Sequence, residues 1–221
     1  MKKEPACREW LNYARMESMS IYDPRRILHR LRTALLPVEQ ASLLDDEIEG
    51  AHPNARRAAV LLALYEQEGE VFLAFIRRSS SLRNHSGQIA FPGGAVDPQD
   101  SSLVMTALRE AQEEIGLALE RATILGMLPP VFTVVSNYLI APIVAFYPQG
   151  LGDLLLQESE VTELLLAPLA ALLDPSIAHT EEWPRDETTR TIYFYDYGSY
   201  RIWGATGRIL STLLEIIKTP E

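Results

Sequence analysis

Hydrophobic and polar positions alternate along this chain with two different periods, and the switch between them divides it into elements. Asp23-Pro24 pairs a capping residue with a proline suited to a first helical turn. Ile27, Leu28, Leu31, Ala34 and Leu35 follow at helical spacing and stop near Pro37. Residues 58–65 and 71–76 are apolar runs separated by Glu66-Gln67-Glu68-Gly69-Glu70, the pattern of a β-hairpin. A polar loop rich in Arg, Ser, Asn and His leads to Phe91-Pro92-Gly93-Gly94, and the periodicity then predicts a helix from about 98 to 115. Further strands are expected at 122–128, 131–135 and 138–146, broken by Pro129-Pro130 and Ser136-Asn137. Residues 160–173 read as helical with a proline at 168, residues 190–197 and 200–203 as a strand pair around Gly198. A last helix is expected from a Thr206 cap, with Ile209, Leu210, Leu213, Leu214 and Ile217 on its apolar side. Strands mixed with helices, hairpins included, point to an α/β fold with a mixed sheet between helical layers. The acidic, turn-rich stretch 45–54 suggests an N-terminal helical extension over 1–50 and a main domain over 51–221.

Composition narrows the classes. At 221 residues, 47% hydrophobic and 23% charged, the chain suits one soluble domain with a sizeable core. Its net charge of −10 argues against a broad nucleic-acid-binding surface but leaves room for a phosphate substrate offered through a bound cation. The single cysteine, Cys7, excludes an internal disulfide and a cysteine zinc cluster, and the four histidines (His29, His52, His85, His179) show no paired ligand spacing. Without a signal-like or membrane-spanning apolar run, a cytoplasmic enzyme is expected.

The chemistry concentrates in the helix around 108–117. Glu110, Glu113 and Glu114 stand at i, i+3 and i+4, so they share one face, while Val104, Ala107, Leu108, Ala111 and Ile115 occupy another arc. Gly116 suits a left-handed cap. Three neighbouring carboxylates repel unless a positive charge sits among them, and hard oxygen ligands at this density suit Mg²⁺ or Mn²⁺. A solvated acidic face paired with basic side chains is the competing reading. The segment before the helix favours a site: Gly93-Gly94 lets the backbone approach a ligand, and Asp97-Pro98 with Asp100 three residues on is a helix-start pattern.

Here residues 94–117 resemble the Nudix box, whose pattern is Gly, five residues, Glu, seven residues, then Arg-Glu-apolar-x-Glu-Glu-x-Gly-apolar. Arg109, Glu110, Ala111, Glu113, Glu114, Gly116 and Leu117 match its second half, whereas Asp100 replaces the first Glu and eight residues separate it from Arg109. The resemblance implies a Nudix-type α/β/α sandwich and a metal-dependent diphosphatase. It gives Glu110, Glu113 and Glu114 to the divalent cations, with Gly93 adding a backbone carbonyl, and Arg109 to the orientation of a glutamate. It also suggests a glutamate on a later loop as the acceptor of the attacking water's proton; Glu160 is the candidate, beside Glu158 and Glu163, and Glu110 is its rival within the box.

The loop before the box is similar to the motif of coenzyme A diphosphatases. Arg78-Ser79, three residues, Arg83, three residues, Gly87, three residues and Phe91-Pro92-Gly93-Gly94 carry that likeness, although Ala74-Phe75-Ile76 stands where the motif has Leu-Leu-Thr. The likeness extends over roughly residues 55–215. It implies a substrate contact for Arg78, Ser79, Arg83, Gly87, Phe91 and Gly94, with Arg78 and Arg83 able to grip the 3′-phosphate of coenzyme A. The expected reaction converts coenzyme A or its thioesters to 3′,5′-ADP and 4′-phosphopantetheine or its acyl derivative. Another dinucleotide such as NADH or ADP-ribose, and a non-catalytic nucleotide-binding regulator, are the alternatives. His85 could contact phosphate too, although a lone loop histidine is more often incidental; apart from the motif's implication for Ser79, the serines at 79–81 read as loop chemistry, and Trp203 as a core or sheet-edge aromatic. No nucleic acid or membrane partner is expected, and the N-terminal helices offer either a homodimer surface or a substrate lid.

Overall fold

In a computed structural model, residues 22–40, 54–80, 86–185 and 188–219 are described. Most of the 45–54 linker, Arg83 and His85 lie outside these residues. Helix α1 (Pro24–Ala34) starts as its sequence dictates, with the Asp23 carboxylate accepting from the Arg25 N–H. Its stripe is buried at Ile27 and Leu31, and the Arg30 guanidinium donates to the Ile217 carbonyl at 2.7 Å.

Strands β1 (Arg56–Gln67) and β2 (Glu70–Arg78) form the expected hairpin. Two short strands follow, β3 (Ile89–Ala90) and β4 (Gly93–Ala95), then helix α2 (Leu103–Ile115). Strands β5 (Thr123–Met127), β6 (Val131–Thr133) and β7 (Tyr138–Tyr147) complete the middle of the chain. With β8 (Val161–Pro168) they build one eight-stranded mixed sheet. Its centre is the parallel pair β1–β7; β2 and β4 pair antiparallel to β1, β5 and β6 to β7, and β8 to β2.

Alternation along the central strands separates two cores. Ala59, Leu61, Ala63, Ile143 and Ala145 face α2, whereas Leu62, Leu64, Leu73, Phe75 and Val144 face the opposite layer. That layer holds α1 and the last helix α4 (Gly204–Lys218), and it receives Tyr195 and Ile202 from a second, three-stranded sheet. The second sheet consists of β9 (Ala178–Arg185), β10 (Thr188–Tyr197) and β11 (Tyr200–Ile202). Helix, mixed sheet and helix layers make the α/β/α sandwich that the sequence suggests. Among the described residues, no helix is long and apolar enough to cross a membrane.

Three local expectations are corrected. Residues 161–168 are a strand, with only a short helix α3 (Leu169–Leu172) after Pro168, because pairing with β2 outweighs the helical spacing of the leucines. Helix α2 starts at Leu103 under a Ser102 cap rather than at Pro98. Helix α4 begins at Gly204 without a side-chain cap, so Thr206 sits inside its first turn. Strand β9 was not expected, and Trp203 is half-buried, its ring stacked 6.0 Å from that of Phe194.

Candidate functional site

The site grows from α2 and the glycine strand beside it. Asp97 and Asp100 make a turn before the helix instead of its first turn: Asp100 accepts from the Asp97 N–H at 2.9 Å and from the Thr106 hydroxyl at 2.9 Å. The same carboxylate, 5% exposed, takes a two-pronged hydrogen bond from Arg109, Nε at 2.9 Å and Nη2 at 3.0 Å. These bonds hold the Asp100 carboxyl well below the usual range, chiefly through Arg109, and keep the guanidinium firmly protonated. So anchored, Arg109 donates from Nη1 to Glu110 at 2.9 Å and to Glu113 at 3.1 Å, and from Nη2 to the Ala95 carbonyl at 3.2 Å. Asp100, whose part the altered spacing left open, is thus the foundation of an acidic and basic ladder leading to the glutamates.

The three glutamates differ in exposure as their helix positions require. Glu113 is 60% exposed, Glu110 17% and Glu114 2%. Glu114 lies against β4, accepting from the Gly93 N–H at 2.9 Å, with Arg78 Nη1 3.5 Å away from its other oxygen. Burial pushes its carboxyl up to about 8, helped by the charges of Glu110 and Glu160 and opposed by Gly93 and Arg78. Glu110 is also raised, by burial first and then by Glu113 and Glu160, against the pull of Arg109. Gly94 is where the Glu110 carboxylate needs space: a Cβ there would stand 2.5 Å from its Cδ and Oε2.

Glu160 enters this group from a distant part of the sequence. The loop before β8 is tied to the end of α2, the Leu155 N–H donating to the Ile115 carbonyl at 3.0 Å and the Gln157 N–H to the Glu114 carbonyl at 2.9 Å. Gly116, at φ 71°, caps the helix and leaves room for Leu155. The Glu160 carbonyl then accepts from the Ser79 N–H at 2.7 Å. Its side chain is exposed, and its charge acts on both Glu110 and Glu114. Glu158 is exposed beside it. Glu163 points elsewhere, its two oxygens taken by Tyr200 and Arg77, so it leaves the cluster.

The remaining expected contacts divide. Arg78 stands at the glutamates, about a quarter exposed. Ser79 is buried beside it. Gly87, at φ 70°, closes the loop by donating its N–H to the Arg78 carbonyl at 3.0 Å. Phe91 does not join the site; its ring is buried in the core opposite α2, stacked 4.8 Å from Phe75.

As the side chains stand, no three of the described carboxylates, histidines or cysteines converge on one metal-sized point. Glu110 and Glu113 are drawn to Arg109, and Glu114 to Gly93 and Arg78. The donors themselves fit a hard divalent cation: all are oxygens, and the buried Glu114 carboxyl, pushed up to about 8, lies where its charged form lacks enough positive partners and a cation would supply one. What the arrangement can do is accept positive charge at a rim that Arg78 adjoins through Glu114 and that the charge of the exposed Glu160 reaches.

The family model described as NUDIX domain matches residues 55–189. A protein of Photorhabdus laumondii named as an uncharacterized Nudix hydrolase NudL is 39% identical over 165 residues, covering 75% of this chain and 87% of that protein. Its namesake in Citrobacter koseri is 36% identical over 171 residues, covering 77% of this chain and 88% of that one. Among solved structures, the NUDIX domain of Shewanella oneidensis NrtR complexed with ADP ribose aligns at TM-score 0.44 and 18% identity, over 61% of this chain and 86% of that chain. A MutT/nudix family protein from Enterococcus faecalis aligns at TM-score 0.47 and 13% identity, over 78% of this chain and 67% of that chain.

Proposed function

This chain belongs to the Nudix family, and from that premise we propose that it hydrolyses the diphosphate bond of coenzyme A or its thioesters. Water adds to one phosphorus, the bridging P–O bond breaks, and the products are 3′,5′-ADP and 4′-phosphopantetheine or its acyl derivative. The observation that carries the reading is Arg78, the first arginine of the motif before the box, poised 3.5 Å from Glu114 with about a quarter of its side chain open to solvent. A substrate diphosphate at the glutamate rim would meet that cation directly. Arg78 therefore serves the diphosphate, and recognition of the 3′-phosphate falls to Arg83.

Glu110, Glu113 and Glu114, with the Gly93 carbonyl, would hold Mg²⁺ or Mn²⁺, which neutralises charge on the diphosphate oxygens and acidifies bound water. Arg109, fixed by Asp100, orients Glu110 and Glu113 for that task. Glu160 is the proton acceptor for the attacking water: it is exposed, it lies close enough for its charge to act on two box glutamates, and Arg109 does not occupy it. Glu110, the rival, has one oxygen committed to Arg109 and its whole carboxylate packed at Gly94.

Chromatography of products from coenzyme A, 3′-dephospho-coenzyme A, NADH and ADP-ribose, with Mn²⁺ or Mg²⁺, tests the assignment. Preferential release of 3′,5′-ADP from coenzyme A is expected; faster use of NADH or ADP-ribose overturns the substrate, and no product from any of them overturns the activity. Glu160→Gln should lower turnover by ~10²–10⁴-fold with Mn²⁺ affinity retained, as for loss of a general base. If only Glu110→Gln loses turnover, the acceptor lies in the box.

A further inference from the structure

Strands β2 and β8 do not pair evenly. From Phe72 to Arg77 their residues oppose one another in register, Arg77 facing Glu163, but the next pair is Arg78 with Val161. Thr162 is the extra residue, its hydroxyl donating to the Arg77 carbonyl at 3.3 Å. Such a bulge re-aims the side chains beyond it. Here it brings Ser79 opposite Glu160, where the two are joined by a 2.7 Å backbone hydrogen bond, and it stands between Arg77 and Arg78.

The last regular pair before the bulge is bound to the other sheet. Arg77 Nε donates to Glu163 Oε2 at 2.8 Å, and the Tyr200 hydroxyl of β11 donates to Glu163 Oε1. The Arg77 guanidinium also lies over the Tyr200 ring, 5.1 Å from its centroid. The three groups close a ring of contacts around one peptide step of β2. They lie on the sheet face opposite α2, since Arg77 alternates with Arg78 along the strand.

We infer that Arg77, Glu163 and Tyr200 are positioning residues that fix the bulge and thereby aim Arg78 and Glu160 at the box glutamates. The inference rests on the reading that Arg78 and Glu160 serve the reaction. It gives the second sheet a part in the site without touching substrate. The Arg77 and Glu163 side chains are 33% and 40% exposed, and pairs so open contribute little to stability. Loosening the bracket should therefore change turnover while leaving the fold intact.

The test uses Tyr200→Phe, which removes one hydroxyl, and Glu163→Gln, which removes one charge. Turnover is measured on whichever diphosphate the wild type uses best, so a different substrate does not disturb the result. Each variant should lose about threefold to tenfold in kcat, with the thermal midpoint unchanged, and the double variant should lose no more than Glu163→Gln alone. In an Arg78→Ala or a Glu160→Gln background the loss from Tyr200→Phe should shrink or vanish. The activity-independent readout is amide hydrogen exchange at Ser79, which should rise severalfold in both variants. Unchanged exchange at Ser79, or losses additive in both backgrounds, overturns the inference. So does a loss of kcat that tracks a lowered thermal midpoint, because that marks a merely structural contact. Should the wild type cleave no diphosphate, the functional reading fails, and unchanged or raised exchange at Ser79 still decides whether the bracket holds the bulge.

Discussion

Two adjacent glycines should respond to the same substitution in opposite ways. At Gly94 the three atoms nearest a methyl group would all belong to the Glu110 carboxylate, at 2.5 Å for Cδ and Oε2 and 2.6 Å for Oε1. Ordinary contact begins near 3.4 Å, so the carboxylate must withdraw by roughly 3.4 − 2.5, about 0.9 Å. It can do so, being the end of a flexible side chain, and the backbone at Gly94 needs no left-handed conformation. A misplacement of ~1 Å in a reacting constellation costs about 10²-fold in rate. Gly94→Ala should thus retain its unfolding midpoint and lose about that factor in turnover at saturating Mn²⁺. At Gly93 the methyl would strike the Ala59 carbonyl and the Val60 Cα of β1, with φ at 150°. Neither obstacle can move without the central strand, so Gly93→Ala should lose several kcal/mol of stability, overpacking and backbone strain each contributing ~1–3 kcal/mol. Urea unfolding followed by circular dichroism, beside steady-state turnover, separates the two. Near wild-type turnover in Gly94→Ala would show that the position of the Glu110 carboxylate is immaterial to the reaction.

Two further outcomes concern the neighbouring carboxylates. The Glu114 carboxyl titrates at about 8 in the fold against 4.5 ordinarily, so the metal-free protein binds its proton more tightly than the unfolded chain does. That stabilisation is full below pH ~4.5 and is lost as pH rises towards about 8, by at most ~5 kcal/mol at ~1.4 kcal/mol per unit. Urea midpoints of metal-free wild type should fall across this window and those of Glu114→Gln should fall less; identical slopes refute it. Asp100→Asn removes the charge that anchors Arg109 and should cost ~1.5–3 kcal/mol in urea unfolding at neutral pH, as charged hydrogen bonds do. A loss below about 0.5 kcal/mol, the range of an ordinary surface change, would contradict the ladder described for Asp100.

The legible part of this protein was its local periodicity. The hairpin, the α1 stripe and the apolar arc of α2 follow from spacing alone, because each is decided by neighbours within a few residues. The glutamate face followed for the same reason. The run at 160–173 misled because Leu164, Leu165 and Ala167 satisfy helical spacing as readily as strand burial, and only β2, some ninety residues earlier, decides between them. Asp97-Pro98 misled because Asp100 does reach back to the Asp97 N–H, the local bond of a helix start, but its carboxylate is then drawn to Arg109 and Thr106. Phe91, drawn to the substrate by the motif, is in the core, because its large apolar ring gains more from stacking on Phe75 there. Contacts such as Arg78 with Glu114, or Tyr200 with Glu163, join residues far apart in the chain and leave no periodic trace.

The pair of backbone hydrogen bonds from Leu155 and Gln157 to the end of α2 also bears on how such a protein can change. Glu114 and Glu160 are separated by three strands of sequence, yet a frame of only a few peptide units connects them in space. Alterations in the length of the turn around Gly150 need not reach the site, since the spacing of the two carboxylates is reset at Leu155. A one-residue insertion between Leu155 and Glu160, by contrast, changes that spacing at once. Tolerance to descent with modification is therefore unequal along one short connection: generous at its beginning, strict in its last few residues.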